Sequence, residues 1–128
     1  MIRGIGVDLV RIERMHAALE RFGERFSRRI LTHGEIEEFR RSQQPARFLA
    51  SRFAAKEACA KAMGTGFRAG LSLRHIGVSH DEQGKPVLTS SDKASALLQE
   101  RGITASHISL SDEQDHAIAF VVLESDAP

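Results

Sequence analysis

Along the chain, apolar and polar positions change period several times, and each change marks an element. In "IRGIGVDL" (residues 2 to 9) Ile5, Val7 and Leu9 alternate with Gly4, Gly6 and Asp8, the two-residue period of a strand. From Arg11 to about Leu31, Ile12, Met15, Leu19, Phe22, Phe26 and Ile30 recur at helical spacing, which predicts one long amphipathic helix with Gly23 as its weak point. A second helix opens at "THGEIEEF", where Thr32 and Glu35 have the spacing of a capping box. Pro45 separates it from a third helix over residues 46 to 63, which Gly64 ends as a C′ glycine. "IGVSH" (76 to 80) and "PVLT" (86 to 89) flank a glycine-containing turn and read as a hairpin. A helix from about Ser91 to Arg101 follows, stopped by Gly102, and "HISLS" (107 to 111) with "AIAFVVLE" (117 to 124) forms a second hairpin. The order is β-α-α-α-β-β-α-β-β. Strands and helices cluster rather than alternate, so the expected fold class is α+β with antiparallel pairing.

The third helix carries a conflict. In "SRFAAKEACAKAMGTG" (51 to 66), at 100° per residue, Glu57 and Lys61 share a face with Ala46, Ala50, Phe53, Ala54 and Ala60, while Arg52 and Lys56 lie on another stripe. A carboxylate among methyl groups needs a compensating positive charge. Two readings stand: an ordinary i,i+4 pair of Glu57 with Lys61, or a divalent cation held by Glu57 and a carboxylate from elsewhere in the chain. Magnesium fits the second, since it takes one or two protein carboxylates and completes its shell with water and phosphate oxygens. Asp8 is the natural second ligand, or else simply the N-cap of the first helix. The glycines before it leave room for a ligand or another backbone, and a polyphosphate would fit there. Arg52, Lys56 and Lys61 can neutralise phosphates, and the backbone N–H groups of Gly64, Thr65 and Gly66 can approach an anion closely. His107 shares a strand face with Ser109 and Ser111, which is either a solvated face or part of the site.

Composition narrows the classes. A chain of 128 residues fits one domain, and 41% hydrophobic with 27% charged residues matches a soluble globular protein, not a disordered or membrane one. No apolar run reaches the ~20 residues of a membrane span and no signal segment opens the chain, so a cytoplasmic location is expected. The single cysteine, Cys59, reads as core filler, and the six histidines form none of the zinc spacings.

The net charge of +1 conceals an asymmetry: residues 1 to 52 balance to +4 and residues 53 to 128 to −3. On a wheel through the first helix, Arg11, Arg14, Arg21, Arg25 and Arg28 form a cationic edge beside the apolar sector. Glu13, Glu20 and Glu24 gather on a third side. This edge is a solvated face or a surface for an acidic protein. Nucleic acid lacks a recognised motif here, and a membrane would need an exposed apolar sector that the core requires. A non-catalytic adaptor that binds an acidic protein or RNA through the arginine helix, with Glu57 and Lys61 as a structural pair, is the alternative to an enzyme.

These stretches resemble the holo-[acyl-carrier-protein] synthases, the small bacterial group of 4′-phosphopantetheinyl transferases, over almost the whole chain. "GIGVDLVRIERM" is similar to that family's opening Gly-x-Asp motif. "RFAAKEACAKAMGTG" is similar to its Phe/Trp-x-x-Lys-Glu-x-x-x-Lys motif at Phe53, Lys56, Glu57 and Lys61, and "HISLSDEQDHAIAFVVLE" to its closing hairpin. The resemblance implies a phosphopantetheinyl transferase fold and transfer of phosphopantetheine from coenzyme A to a serine of apo acyl carrier protein. It implies catalytic roles for Asp8, Glu57 and Lys61, with Asp8 and Glu57 on Mg²⁺. Coenzyme A would be positioned by Arg52, Lys56, Lys61, the Gly64, Thr65, Gly66 loop and His107. Arg14, Met15, Arg21 and Arg25 would meet the carrier protein, and the active sites would lie between the subunits of a homotrimer. Larger, monomeric relatives carry Asp-x-Glu at the metal, whereas Val10 here takes the glutamate's place.

Overall fold

The structure, a computed structural model, describes residues 1 to 68 and 70 to 126. Strand β1 (Ile2–Arg11) leads into helices α1 (Ile12–Phe22), α2 (Glu24–Ile30), α3 (His33–Arg41) and α4 (Pro45–Met63). A single 3-10 turn (Leu73–His75), the β2 (Ile76–His80) and β3 (Pro86–Ser90) hairpin, α5 (Asp92–Glu100), β4 (Ala105–Asp112) and β5 (His116–Glu124) follow. The order is the one the periodicity predicts, except that the first helix is divided. Gly23, at φ 63° and ψ −146°, closes α1 through its N–H to the Leu19 carbonyl and turns the chain into α2. Past that break the wheel no longer applies, and the arginines of α1 and α2 do not share one straight edge.

The sheet has the order β1-β5-β4, all antiparallel, and β2-β3 stands as a separate hairpin. Asp8 pairs with Ala119, and both Ile5 and His107 flank Val122. One face of the sheet is covered by α4, and there Val10, Ala117, Ala119, Val121 and Leu123 are all buried. Small residues make the contact close. A Cβ on Gly4 would come 1.9 Å from the Ala62 carbonyl oxygen, and one on Gly6 1.9 Å from that of Ala58. The glycine face of β1 is therefore filled by the backbone of α4, and the space expected for a polyphosphate does not exist. Gly6→Ala must push strand from helix, and we expect it to cost about 1–3 kcal/mol of stability in chemical denaturation.

Helix α4 is buried on nearly all sides. Thr32 and Glu35 form the predicted capping box on α3, Pro45 occupies the first turn of α4, and Gly64 ends it in the left-handed conformation (φ 77°, ψ 10°). Cys59 is buried, and burial pushes its thiol up to about 12, so it packs without acting as a nucleophile.

Candidate active site

Asp8 and Glu57 come from the edge strand and the central helix, and the tight β1–α4 contact puts them beside one another. Glu57 is half-buried. Its carboxyl is raised above the ordinary glutamate range, first by burial and then by the negative charge of Asp8, with Lys61 and Arg14 opposing the shift. Lys61 does not pair with Glu57. Its Nζ donates to Asp8 Oδ1 and to the Val7 carbonyl, each at 2.9 Å, so it bridges the side chain and the main chain of β1. The Asp8 side chain is 17% exposed and that of Lys61 is 53% exposed. Asp8 does not cap α1: Arg11 occupies the N-cap, without a side-chain hydrogen bond. Among the described residues no cluster of three or more acidic, His or Cys side chains could hold a metal. Val10 is core.

Arg14 lies over the Phe53 ring at 5.5 Å, which brings the first turns of α1 next to Glu57. Arg21 and Arg25 are exposed. Met15 is not available to a partner: at 1% exposure it is a core residue, and the expectation that it meets a carrier protein is corrected. Phe22, expected in the core, is 52% exposed with the Arg21 guanidinium 5.1 Å above its ring. The break at Gly23 ends the helix before this ring can turn inward.

Lys56 requires a second correction. None of its surface is exposed, and its amine donates to Glu35 Oε1 at 2.7 Å and to the carbonyls of Leu73 and Ile76. All three ammonium donors are committed, so it cannot reach a phosphate. Burial lowers the pKa of Lys56, and the Glu35 carboxylate opposes that. Glu35 also takes the N–H groups of Thr32 and Val78. Its role as the keystone of α3, α4 and β2 was missed by sequence reasoning, whose only signal was the capping box.

The Gly64, Thr65, Gly66 loop also differs from expectation. The N–H of Gly64 turns back to Lys61, and those of Thr65 and Gly66 to Ala60 at 3.3 and 3.4 Å, so these donors close the helix rather than face an anion. Arg52 is 6% exposed, stacks on Phe48 at 4.3 Å and lies 3.7 Å from Glu38. Its Nε is buried 3.9 Å from Glu35 Oε2, an ion pair without a hydrogen bond. The side chain borders a surface hollow with Ser51, Arg47 and Asp112, away from Asp8. His107 stands on the outer face of the sheet, bonded to Glu124, whereas Asp8 faces α4. One protomer thus unites Asp8, Glu57, Lys61 and Arg14 but leaves Arg52 and His107 apart from them.

An α+β fold in which paired carboxylates meet a lysine, with a basic surface alongside, suits an anionic ligand, and comparison with known proteins gives the class of enzyme. The family model of the 4′-phosphopantetheinyl transferase superfamily matches residues 4–121. A holo-[acyl-carrier-protein] synthase of Nitrosospira multiformis is 56% identical over 124 residues, covering 97% of this chain and 99% of the relative. The crystal structure of that synthase from Neisseria meningitidis superposes with a TM-score of 0.92 at 47% identity, covering 98% of this chain and all (100%) of the other. The Bacillus anthracis structure, in complex with CoA (3′,5′-ADP), gives 0.79 at 38% identity, with coverage of 98% and 99%. The chain belongs to the 4′-phosphopantetheinyl transferase superfamily and, within it, to the holo-[acyl-carrier-protein] synthase enzymes.

Proposed function

We propose that the chain transfers 4′-phosphopantetheine from coenzyme A to a serine hydroxyl of apo acyl carrier protein, in the cytoplasm, with Mg²⁺, releasing adenosine 3′,5′-bisphosphate. The observation that carries this reading is the juxtaposition of Asp8 and Glu57, two carboxylates with the Lys61 amine on one of them. The pair fits a hard divalent cation. Two like charges, one of them partly desolvated, are relieved by a cation between them, and two carboxylates leave room for phosphate oxygens and water. Bound there, Mg²⁺ would withdraw charge from the pyrophosphate phosphorus under attack.

The chain's own groups do the rest. The serine Oγ forms a bond to the phosphorus that carries pantetheine, and the bond from that phosphorus to the bisphosphate oxygen breaks. The serine proton passes to Glu57 or to water beside it. Lys61 offsets the charge that develops on the departing phosphate. Arg52, at the edge of its surface hollow, and His107 hold the cofactor. The reacting serine arrives on an acidic carrier docked on Arg14, Arg21 and Arg25, with the exposed Phe22 as apolar contact in place of Met15. Arg14→Glu is expected to raise KM for the carrier about tenfold at low salt, with the difference shrinking as salt screens it.

A homotrimer accounts for two further features. Ile5, Val7, Leu9, Ile118 and Phe120 form an apolar outer sheet face, each 38–60% exposed, of the kind that marks an interface. His107 and Asp8 lie on opposite faces of one sheet, so they can serve one coenzyme A only from neighbouring protomers. Phe120→Asp should yield a monomer by light scattering and lose turnover. A trimer that persists with full activity would refute this face as the contact. The reaction itself is tested by incubating the protein with Mg²⁺, coenzyme A and apo carrier protein: the carrier gains roughly 340 Da if a covalent transfer occurs. An unchanged carrier mass would restore the adaptor reading.

A further inference from the structure

Between α2–α3 on one side and the 3-10 turn, the β2–β3 hairpin and the start of α5 on the other lies a cleft of about 710 Å³. That volume suits a small molecule. It shares no residue with the Asp8, Glu57 and Lys61 cluster, with the hollow beside Arg52, or with β1, β4 and β5, whose outer face is the assigned trimer contact.

Its lining is rich in guanidiniums and poor in carboxylates. Arg28 and Arg40 share one carboxylate, Glu24, at 3.3 and 3.4 Å, so a single acid answers two guanidiniums. The Arg74 side chain has no acceptor among the described residues. His75 takes the Ser72 N–H on Nδ1 at 3.1 Å, which leaves its Nε2 as the donor in the neutral ring. Asp92, 4.0 Å from that Nε2, is the only carboxylate in the lining. Half-buried Ile36 supplies an apolar wall, with the buried Leu31 behind it. Guanidiniums in excess over carboxylates, beside an apolar surface, match an oxyanion carried on an apolar body.

We propose that this cleft is a binding site for a small organic phosphate, with Arg28, Arg40 and Arg74 on the phosphoryl group and the Ile36 wall on the apolar part. The site is independent of the transferase chemistry, and its test does not depend on that reading. Phenyl phosphate serves as the probe, titrated into the isotope-labelled full chain without coenzyme A or divalent metal and followed by amide resonances. Saturable shifts at Thr32, His33, Arg74, His75 and Thr89 are expected. Arg74→Glu, a change at an exposed position, should weaken binding at least about tenfold without altering the unliganded spectrum beyond its neighbours. Benzyl alcohol, which lacks the dianion, should shift none of these resonances. Shifts confined to the surroundings of Asp8, Glu57 and Lys61, no saturable shift, or equal affinity in wild type and Arg74→Glu would each overturn the assignment.

Discussion

Glu57→Gln is expected to retain the fold while turnover falls on the order of 10² to 10⁴-fold, the range for loss of a positioned proton acceptor. The change conserves shape and removes only the charge, so it separates chemistry from packing. It should also make the metal-free protein more stable at neutral pH. Burial and the Asp8 charge raise the folded-state pKa of Glu57, so the folded chain binds this proton more tightly than the unfolded chain. The stability that this contributes is fully present below the unfolded glutamate value of ~4.3 and is lost as pH rises through the folded value. At pH 7.5 the ionised carboxylate is therefore a liability that Gln lacks. Melting curves without divalent metal should place Glu57→Gln above wild type at pH 7.5, with the gap closing below about pH 4. Magnesium should raise wild type alone. A lower melting temperature for Glu57→Gln at pH 7.5, or unimpaired turnover, would contradict the site described here.

Glu35→Ala should be the most damaging single change to the fold, costing about 3–5 kcal/mol, as when one partner of a buried ion pair is removed. It strands the Lys56 ammonium, which has no exposed surface, with only two carbonyls, and it frees the N–H groups of Thr32 and Val78. Glu35→Leu combined with Lys56→Met, which removes this pair and leaves the nearby Arg52 to Glu38, should recover part of the loss, because an apolar pair of similar volume carries no desolvation penalty. The two unpaired N–H groups prevent full recovery. Denaturant midpoints for the single and double variants measure the difference. A cost under about 1 kcal/mol for Glu35→Ala would show that the ammonium escapes to water on its own.

The contrast between these two glutamates explains what was legible in the sequence. Local signals read correctly: the alternation in β1, the Thr32–Glu35 box, the Gly64 stop and both hairpins depend on residues near in sequence. Glu57 stood out because a charge among alanines has no local explanation, and Asp8 because it ends a nearly bare strand face. What failed required knowing what packs on what. An alanine-rich helix is apolar on every side, so its wheel could not tell that Lys56 points inward to Glu35, 21 residues away. The glycines of β1 signalled a close approach, and only the fold identifies the neighbour as α4 rather than a ligand. A wheel drawn straight through Gly23, where the axis ends, places Met15 in the core correctly and Phe22 wrongly; the carrier contact of Met15 comes from the family resemblance alone.

The close seating of β1 on α4 sets the gap between Asp8 and Glu57 by main chain against main chain, with no side chain as spacer. Substitutions elsewhere in the interior can accumulate over evolution without altering the reach of the two acids. Conversely, widening that gap to admit a bulkier ion would take a side chain on the glycine face of β1, which moves the strand itself.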